Sequence, residues 1–424
     1  VLTRHSGFSI SVEKQGPRKI SKAAFPLRYG KYSEIKTADY EFVFNLNGEI
    51  KFIRGLGVNW PHPAEQLKRT DGNDWVYYSV GDESGDSGVI SWMGEYYLPC
   101  LPYASNAVWE INYLSNPDVM TAFAAWSQLY ADLFQASSKG LHARAKALAE
   151  RILANHSGIL HDRAKELNAI IGGRVSVLPP DTRHVDYEVI PLIIADGCLY
   201  RCEFCCVKSG QTYQLRSQAE IAKQIKQLKT FYGRNLDNYN ALFLGNHDAL
   251  AAGIERIDMA VSRATESFGM GSGSGASPTL FLFGSVASLL HSNNALFERL
   301  NQLPFYTYIN VGFESVDSST LKLIGKPETG ARVREAFAKM LEVNESFANI
   351  EITGNFILGE QLIPEHYRLL AALLQSQNAP PNSKGAIYLS PLKDNPKKRE
   401  LLPHFSQLKE RSRFPAFIYL IQRL

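Results

Sequence analysis

The 424-residue chain is expected to fold as an α/β protein, a six-stranded parallel sheet wound with helices, behind an N-terminal α+β accessory domain. Three observations predict this. Apolar runs recur at Val189–Ala195, Ala241–Leu244, Thr279–Phe283, Tyr306–Phe313, Ile350–Leu358 and Ala386–Leu389 with helical patterns between them, and strands joined by helical crossovers run parallel. Earlier, Tyr40–Phe44 and Glu49–Ile53 flank Asn45-Leu-Asn-Gly48, where Asn-Gly is a strong hairpin signal. Between the two regions, G-G-R-V-S-V-L-P-P-D-T-R-H at 172–184 reads as a linker. The expected divisions are therefore 1–180 for the accessory domain, 181–392 for the strand-helix domain and 393–424 for an extension packed on it.

Composition narrows the class. Hydrophobic residues make up 45% and charged residues 21% of the chain, with a formal net charge of +3, ordinary values for a globular protein that do not indicate nucleic acid as a partner. No apolar run approaches the roughly 18–20 residues needed to cross a bilayer, and V-L-T-R-H-S-G-F-S-I-S-V-E-K-Q lacks the apolar core of a signal peptide. A cytoplasmic protein with no membrane partner is expected. Five cysteines in a chain this long make no disulfide framework.

In chain order, Trp75–Val80 and Val89–Trp92 read as short strands around the loop 81–88. Pro117–Phe134 reads as a helix with Asn116 as N-cap and proline at its first position, followed by helices over Gly140–Ala154 and Leu160–Ile171. The aromatic-rich stretch 92–109 has two readings, domain core or a substrate-facing surface; Cys100 within it reads as a small buried hydrophobe. His62, His142, His156 and His161 show no metal spacing. Ser217-Gln-Ala-Glu220 is a capping box opening a helix whose Ile221, Ile225, Leu228 and Phe231 share one face, and Gly233 ends it. Ile254, Ile257 and Val261, then Val333, Phe337 and Met340, are core stripes. Gly269–Pro278 is glycine-rich but lacks the Gly-Lys-Ser/Thr ending of a phosphate loop and reads as a flexible linker. The tail beyond Leu389 reads as a polar connection, a charged helix and a closing apolar strand or helix.

The chemistry concentrates in Asp196–Lys208, D-G-C-L-Y-R-C-E-F-C-C-V-K. Cys198, Cys202 and Cys205 stand at C-x3-C-x2-C directly after the first apolar run. Three thiolates hold three irons of a 4Fe-4S cube, whose usual complement is four, and leave one iron open to an outside ligand. A zinc site instead wants four ligands, usually in two pairs, and would need Cys206. The spacing, with Phe204 just before the third cysteine, resembles the signature of the radical S-adenosylmethionine (radical SAM) superfamily. The resemblance implies a partial (β/α)6 barrel of the TIM type with its chemistry at the carboxyl ends of the strands. It also implies a 4Fe-4S cluster on Cys198, Cys202 and Cys205, SAM on the open iron, and an external one-electron reductant such as flavodoxin or ferredoxin.

Later stretches resemble the elongator-, MiaB- and NifB-like branch. Phe243-Leu-Gly-Asn-His-Asp-Ala-Leu250 stands where that branch often has Gly-Gly-Glu to bind the SAM amino group. Gly245 matches; Asn246, His247 and Asp248 depart from it and offer other acceptors for an ammonium. His247 is read as a hydrogen-bonding residue of the loop or of SAM ahead of an acid–base role. Val311-Gly-Phe-Glu-Ser315, followed by Leu321-Lys-Leu-Ile-Gly-Lys326, carries Glu314 and Ser315 over as SAM contacts. Gly354-Asn-Phe-Ile-Leu-Gly359 resembles the adenine-binding strand and contributes Ile357, while Ser285 after Gly284 offers a polar contact. Lys208 reads equally as a partner of the SAM carboxylate and as a solvated side chain.

The function expected from these residues is a radical SAM enzyme that abstracts hydrogen from a small or medium-sized organic substrate, its N-terminal domain helping to close the cavity. Only Cys100 and Cys206 lie outside the triad, which argues against an auxiliary cluster of the kind in MiaB-type methylthiotransferases. The N-terminal third has no D-x-H-x-x-G cobalamin motif, which argues against a cobalamin-dependent methyltransferase. Two other readings stand beside this one: a radical SAM enzyme modifying a nucleic acid or protein, and an iron-sulfur redox sensor that does not cleave SAM.

Overall fold

The computed structural model describes residues 2–5, 7–16, 30–60, 65–73, 75–79, 97–98, 115–138, 140–175, 177–184, 188–200, 202–205, 211–245, 247–271, 277–375, 384–392 and 398–419. The first strands form an eight-stranded antiparallel meander in chain order: β1 (Leu2–His5), β2 (Phe8–Gln15), β3 (Lys31–Lys36), β4 (Tyr40–Phe44), β5 (Ile50–Gly55), β6 (Glu65–Arg69), β7 (Trp75–Ser79) and β8 (Tyr97–Leu98). The β4–β5 hairpin closes through the side chain of Asn45, whose Oδ1 accepts from the Asn47 and Glu49 amides at 2.9 and 3.0 Å. This local bond is the reason asparagine opens such turns.

One face of the meander buries Phe8, Ile10, Phe42, Phe44, Ile50 and Ile53 against α1 (Pro117–Ser138) and α2 (Ala143–Ala154). Trp126 of α1 meets Trp75 edge-on at 5.3 Å. Asn116 caps α1 as expected, its Oδ1 accepting from the Asp118 amide at 2.8 Å. Helix α3 (Ser157–Ile171) starts in this core with Leu160 and ends in the second with Leu167 and Ile171. The predicted strand Val89–Trp92, Cys100, His62 and the aromatic stretch apart from the backbone of β8 lie outside the described residues.

The second sheet is parallel throughout: β9 (Ile190–Pro191), β12 (Ala241–Phe243), β13 (Thr279–Ser285), β14 (Tyr306–Glu314), β15 (Ile350–Leu358), β16 (Ile387–Pro391) and β17 (Ala416–Ile418) neighbour one another in that order. Between β9 and β12 a separate antiparallel pair, β10 (Ala195–Asp196) and β11 (Gln214–Leu215), forms the stem of the cysteine loop. The crossovers run through α4 (Gln218–Tyr232), α5 (Gly253–Phe268), α6 (Val286–His291), α7 (Asn294–Gln302), α8 (Ser318–Leu323), α9 (Gly330–Ser346), α10 (Pro364–Leu374) and α11 (Leu402–Arg411). The Ser217–Glu220 capping box is present at the start of α4.

Two expectations need correction. The sheet has seven strands rather than six, because the tail does not merely pack on the barrel: α11 and β17 form a seventh helix-strand unit, with Ile418 turned to the helices and Tyr419 inward. The stretch around 172–184 is no free linker either. Val175 and Leu178 pack inside the sheet against Val189, Ala241, Phe243, Phe281 and Tyr308, and Val177 against Ala386, Tyr388 and Tyr419. Asp181, fully buried, accepts from Thr353 Oγ1 at 2.9 Å and Tyr388 Oη at 2.5 Å. This segment stoppers the interior at the amino-terminal end of the strands.

The two sheets meet at that same end. Asn47 donates to the Tyr232 carbonyl at 2.9 Å, Lys31 N–H to Asn238 Oδ1 at 2.7 Å, and Lys51 pairs with Glu188. These partners precede β9 or β12, whereas the cysteines follow β9. The described residues of the antiparallel sheet therefore dock on the face away from the cysteine loop, whereas the end of α3 reaches the loop's stem, the Ile171 carbonyl accepting from Arg216 at 2.7 Å.

Asp71, on the β6–β7 turn, enters this seam and accepts at Oδ2 from Tyr232 and Tyr239 Oη at 3.2 and 3.1 Å. Burial pushes its carboxyl up to about 6, with Arg69 pulling the other way. The folded chain thus holds this proton more tightly than the unfolded one, and Asp71's stabilising contribution is present below the ordinary value of 3.8 and lost as pH rises through about 6. Asp71→Asn is expected to flatten that part of the stability–pH curve and to raise unfolding free energy at pH 7 by on the order of 1–2 kcal/mol. Urea melts across pH 4–8 would show it.

Candidate radical SAM site

The cysteine loop leaves the carboxyl end of the first strand and is held at both ends. Its stem is the Ala195–Leu215 and Asp196–Gln214 pairing, locked by Arg216, which donates to both oxygens of Asp196 at 2.7 and 2.8 Å and to the Ile171 carbonyl at 2.7 Å. Its tip rests on the segment after α8, where Glu203 N–H donates to the Ile324 carbonyl at 3.1 Å. Gly325 permits that approach. It sits at φ +67°, and a Cβ there would come within 2.9 Å of the Glu203 side chain, so a larger residue would both strain the backbone and lift the loop.

Cys198, Cys202 and Cys205 are in no disulfide; Cys202 is 9% exposed. Burial pushes the Cys198 and Cys202 thiols up; the Tyr200 amide, 3.4 Å from Cys198 Sγ, opposes this at Cys198, and Lys326 opposes it at Cys202. Among the described residues no three His, Cys, Asp or Glu side chains converge on a single ion. A 4Fe-4S cube has a different requirement, one thiolate to each of three irons, and a three-thiol loop with a cation beside it supplies that donor set.

Lys326 organises the far wall. It is 6% exposed, donates to the Gly312 carbonyl, pairs with Glu314 Oε1 at 3.2 Å and lies 5.9 Å from the Tyr200 ring centroid. Tyr200 Oη donates to Glu328 Oε1 at 2.7 Å. Glu314 closes β14 at a register shift with φ +64°, a conformation a non-glycine residue adopts at a cost and one that concentrates at ligand sites.

The remaining predicted residues divide into three groups. Phe204 and Ile357 come together in an apolar cluster with Ile324, Leu362 and Leu392. Gly245, at φ +104° with open space where a Cβ would stand, turns the loop that carries His247 and Asp248. Burial pushes His247 down and Asp248 up, the latter against the pull of the nearby Ser285 and Ser288 hydroxyls. Those two hydroxyls are turned to each other at 3.2 Å. Asp248 Oδ1 accepts from the Ala251 amide at 3.3 Å, while Oδ2 is buried without a hydrogen bond of good geometry. Its charge is felt at Cys198. An unsatisfied carboxylate oxygen beside the cysteine loop fits an incoming ammonium, and the Phe204–Ile357 cluster fits a flat apolar ring.

Two residues are otherwise engaged. Ser285 caps α6, its Oγ accepting from the Ser288 amide at 3.0 Å. Ser315 is fully buried and bonded to His366. Asn246, Cys206 and Lys208 lie outside the described residues. Sequence reasoning assigns no role to Tyr200, Glu328 or His366. Tyr200 lies within the cysteine stretch, but nothing local marks the other two, because their partners stand 128 and 51 residues away.

Residues 192–370 match the family model of the radical SAM superfamily, and the match begins just ahead of the cysteine triad and ends within α10. This is a radical SAM domain. Enzymes of the superfamily use a 4Fe-4S cluster and SAM. The match does not resolve a branch within the superfamily. No curated protein matches the chain by sequence. Solved structures similar to the chain include a radical SAM methyltransferase from Sphaerobacter thermophilus, with TM-score 0.39 and 14% identity over 55% of this chain and 65% of that one. Methylornithine synthase (PylB) gives TM-score 0.35 and 12% identity over 60% and 67%. The cobalamin-dependent S-adenosylmethionine radical enzyme OxsB gives TM-score 0.34 and 16% identity over 54% and 31%. Likeness at this level identifies neither substrate nor reaction. No helix among the described residues is long and apolar enough to cross a membrane.

Proposed function

We propose that the chain is a radical SAM enzyme acting on a small or medium-sized organic substrate, with Cys198, Cys202 and Cys205 holding the cluster. When bound, the reduced cluster and SAM supply a 5'-deoxyadenosyl radical able to remove hydrogen from an unactivated carbon. The observation that carries the reading is the placement, at the carboxyl ends of the parallel strands β9, β12 and β14, of the three-thiol loop, the orphaned Asp248 oxygen and the Glu314–Lys326 pair.

In this reading the protein's own residues divide the work. Asp248 and the Gly245 turn receive the SAM ammonium, and Phe204 and Ile357 provide the apolar surface for adenine. Lys326 fixes Glu314 and lends positive charge to the thiolate loop. Cluster potentials depend on charge, hydrogen bonds to sulfur and exposure; the Tyr200 amide at Cys198 Sγ and the burial of Cys202 are what this chain contributes. An external one-electron reductant completes the system.

Anaerobic reconstitution with iron and sulfide, reduction with dithionite and addition of SAM is expected to yield 5'-deoxyadenosine, read by chromatography. A reducible cluster that binds SAM and never yields it, whatever extract supplies as substrate, would sink the enzymatic reading and favour a redox sensor.

A further inference from the structure

Beyond their backbone pairing, which runs to Glu314 and Phe356, the ends of β14 and β15 are tied by one buried side chain from a third element. His366, in the first turn of α10, is fully buried. Its Nε2 lies 3.0 Å from the Ile357 carbonyl, and its Nδ1 lies 2.8 Å from Ser315 Oγ. A carbonyl only accepts, so Nε2 carries the proton, Nδ1 is the acceptor, and the Ser315 hydroxyl donates to it. The same hydroxyl accepts from the Asp317 amide at 3.0 Å. Each polar atom of the latch is satisfied, and the imidazole is neutral and fixed in one tautomer. Next to it, Tyr367 Oη donates to the Gly359 carbonyl at 2.9 Å and accepts from the Gly359 amide at 3.0 Å, so the same helical turn also holds the exit of β15.

The placement gives this latch a function. Ser315 directly follows Glu314, whose φ of +64° makes the end of β14 an enforced conformation. Ile357 stands on the neighbouring strand and packs with Phe204 of the cysteine loop. With Glu314 taken as the SAM contact that the sequence resemblance implies and Ile357 as part of the adenine surface proposed above, the two meet different parts of one SAM molecule, so the spacing of the two strand ends sets whether both engage at once.

We infer that His366 is a positioning residue for the SAM site, holding the carboxyl ends of β14 and β15 at the spacing at which Glu314 and Ile357 contact SAM together. This rests on the reading that SAM binds at these strand ends. Ser315 then has a part of its own, since its hydroxyl acts through His366 and makes no contact with SAM. Burial, which pushes His366 down to about 4 against the pull of the Ile357 carbonyl, agrees with a ring that stays neutral while the site works.

The test compares two ligands on cluster-reconstituted full-length protein: SAM, which spans both strand ends, and L-methionine, which does not reach Ile357. Calorimetry gives dissociation constants for wild type, His366→Leu and Ser315→Ala, with iron content and melting temperature measured alongside. The expected result is SAM affinity lowered about tenfold in His366→Leu, the scale of one lost, well-formed hydrogen bond, and methionine affinity unchanged. Ser315→Ala, which removes one oxygen and spares the ring, is expected to weaken SAM in the same sense and keeps the test intact should His366→Leu misfold. In wild type, 15N spectra of the histidines are expected to show a ring in the Nε2–H tautomer across pH 6–8 that Ser315→Ala unlocks. SAM and methionine weakened alike, or neither weakened in a folded Ser315→Ala protein, would overturn the inference. Wild type with a full cluster and no affinity for SAM would overturn instead the functional reading on which it rests.

Discussion

Cys202→Ala is expected to abolish both cluster and turnover. In the reconstituted variant, iron and acid-labile sulfide fall to background, the broad visible absorbance is lost, and 5'-deoxyadenosine is not formed. The cause is ligand count: three thiolates already leave one iron open, and two leave a cube without the coordination that holds it. Cys198→Ala and Cys205→Ala should behave alike, while Cys100→Ala should load fully. The loop itself should survive, because its stem is made by Asp196, Arg216 and backbone pairing rather than by sulfur. A far-UV circular dichroism spectrum matching wild type would separate lost ligation from lost fold. Full iron content in Cys202→Ala would remove this residue from the ligand set.

Lys326→Met should cost more stability than any other single change at the site. The ammonium sits between Glu314 and the Gly312 carbonyl, with side-chain exposures of 4% for Lys326 and 12% for Glu314. Removing one partner of such a pair strands the other, an effect of about 3–5 kcal/mol. Here the stranded carboxylate belongs to a residue already held at φ +64°, so little slack remains in the backbone to turn it toward water. The double variant Lys326→Met/Glu314→Gln should recover most of the loss, since no uncompensated charge is left in it. Denaturant melts of wild type, the two single variants Lys326→Met and Glu314→Gln, and the double variant measure the coupling. A single variant within about 1 kcal/mol of wild type would mean that the pair behaves as a surface ion pair and that Glu314 is not held by it.

The parts of this molecule that repeat are legible in the sequence, and the parts that depend on one contact are not. Ile309, Val311 and Phe313 alternate with Tyr308, Asn310 and Gly312 along β14, a period that identifies a two-faced strand. The capping box at Ser217 and the Asn45 turn are local chemistry and stand where expected. Such reading leaves the tail's closing element as either a strand or a helix, because Ala416–Ile418 is three residues long and shows no period. Val177, Leu178 and Asp181 escape it for the same reason: a short segment around two prolines gives no pattern from which burial can be read. The docking face of the N-terminal domain depends on Asn47, Lys51 and Asp71 finding partners more than 130 residues away, and no local signal encodes such a meeting. At the site the cysteine spacing announces itself, while Ser315 reads like a ligand contact and is bonded to His366.

Among the described residues, Val175, Val177, Leu178 and Asp181 give the inner face of the second sheet a floor at the amino-terminal ends of its strands. Asp181, bonded to Thr353 and Tyr388, anchors that floor. The floor and the cysteine loop stand at opposite ends of the same strands, so the strand length between them sets the depth open to a ligand that enters from the cysteine end. The joints to the N-terminal sheet, at Tyr232, Asn238 and Glu188, lie toward the same end of the strands as this floor.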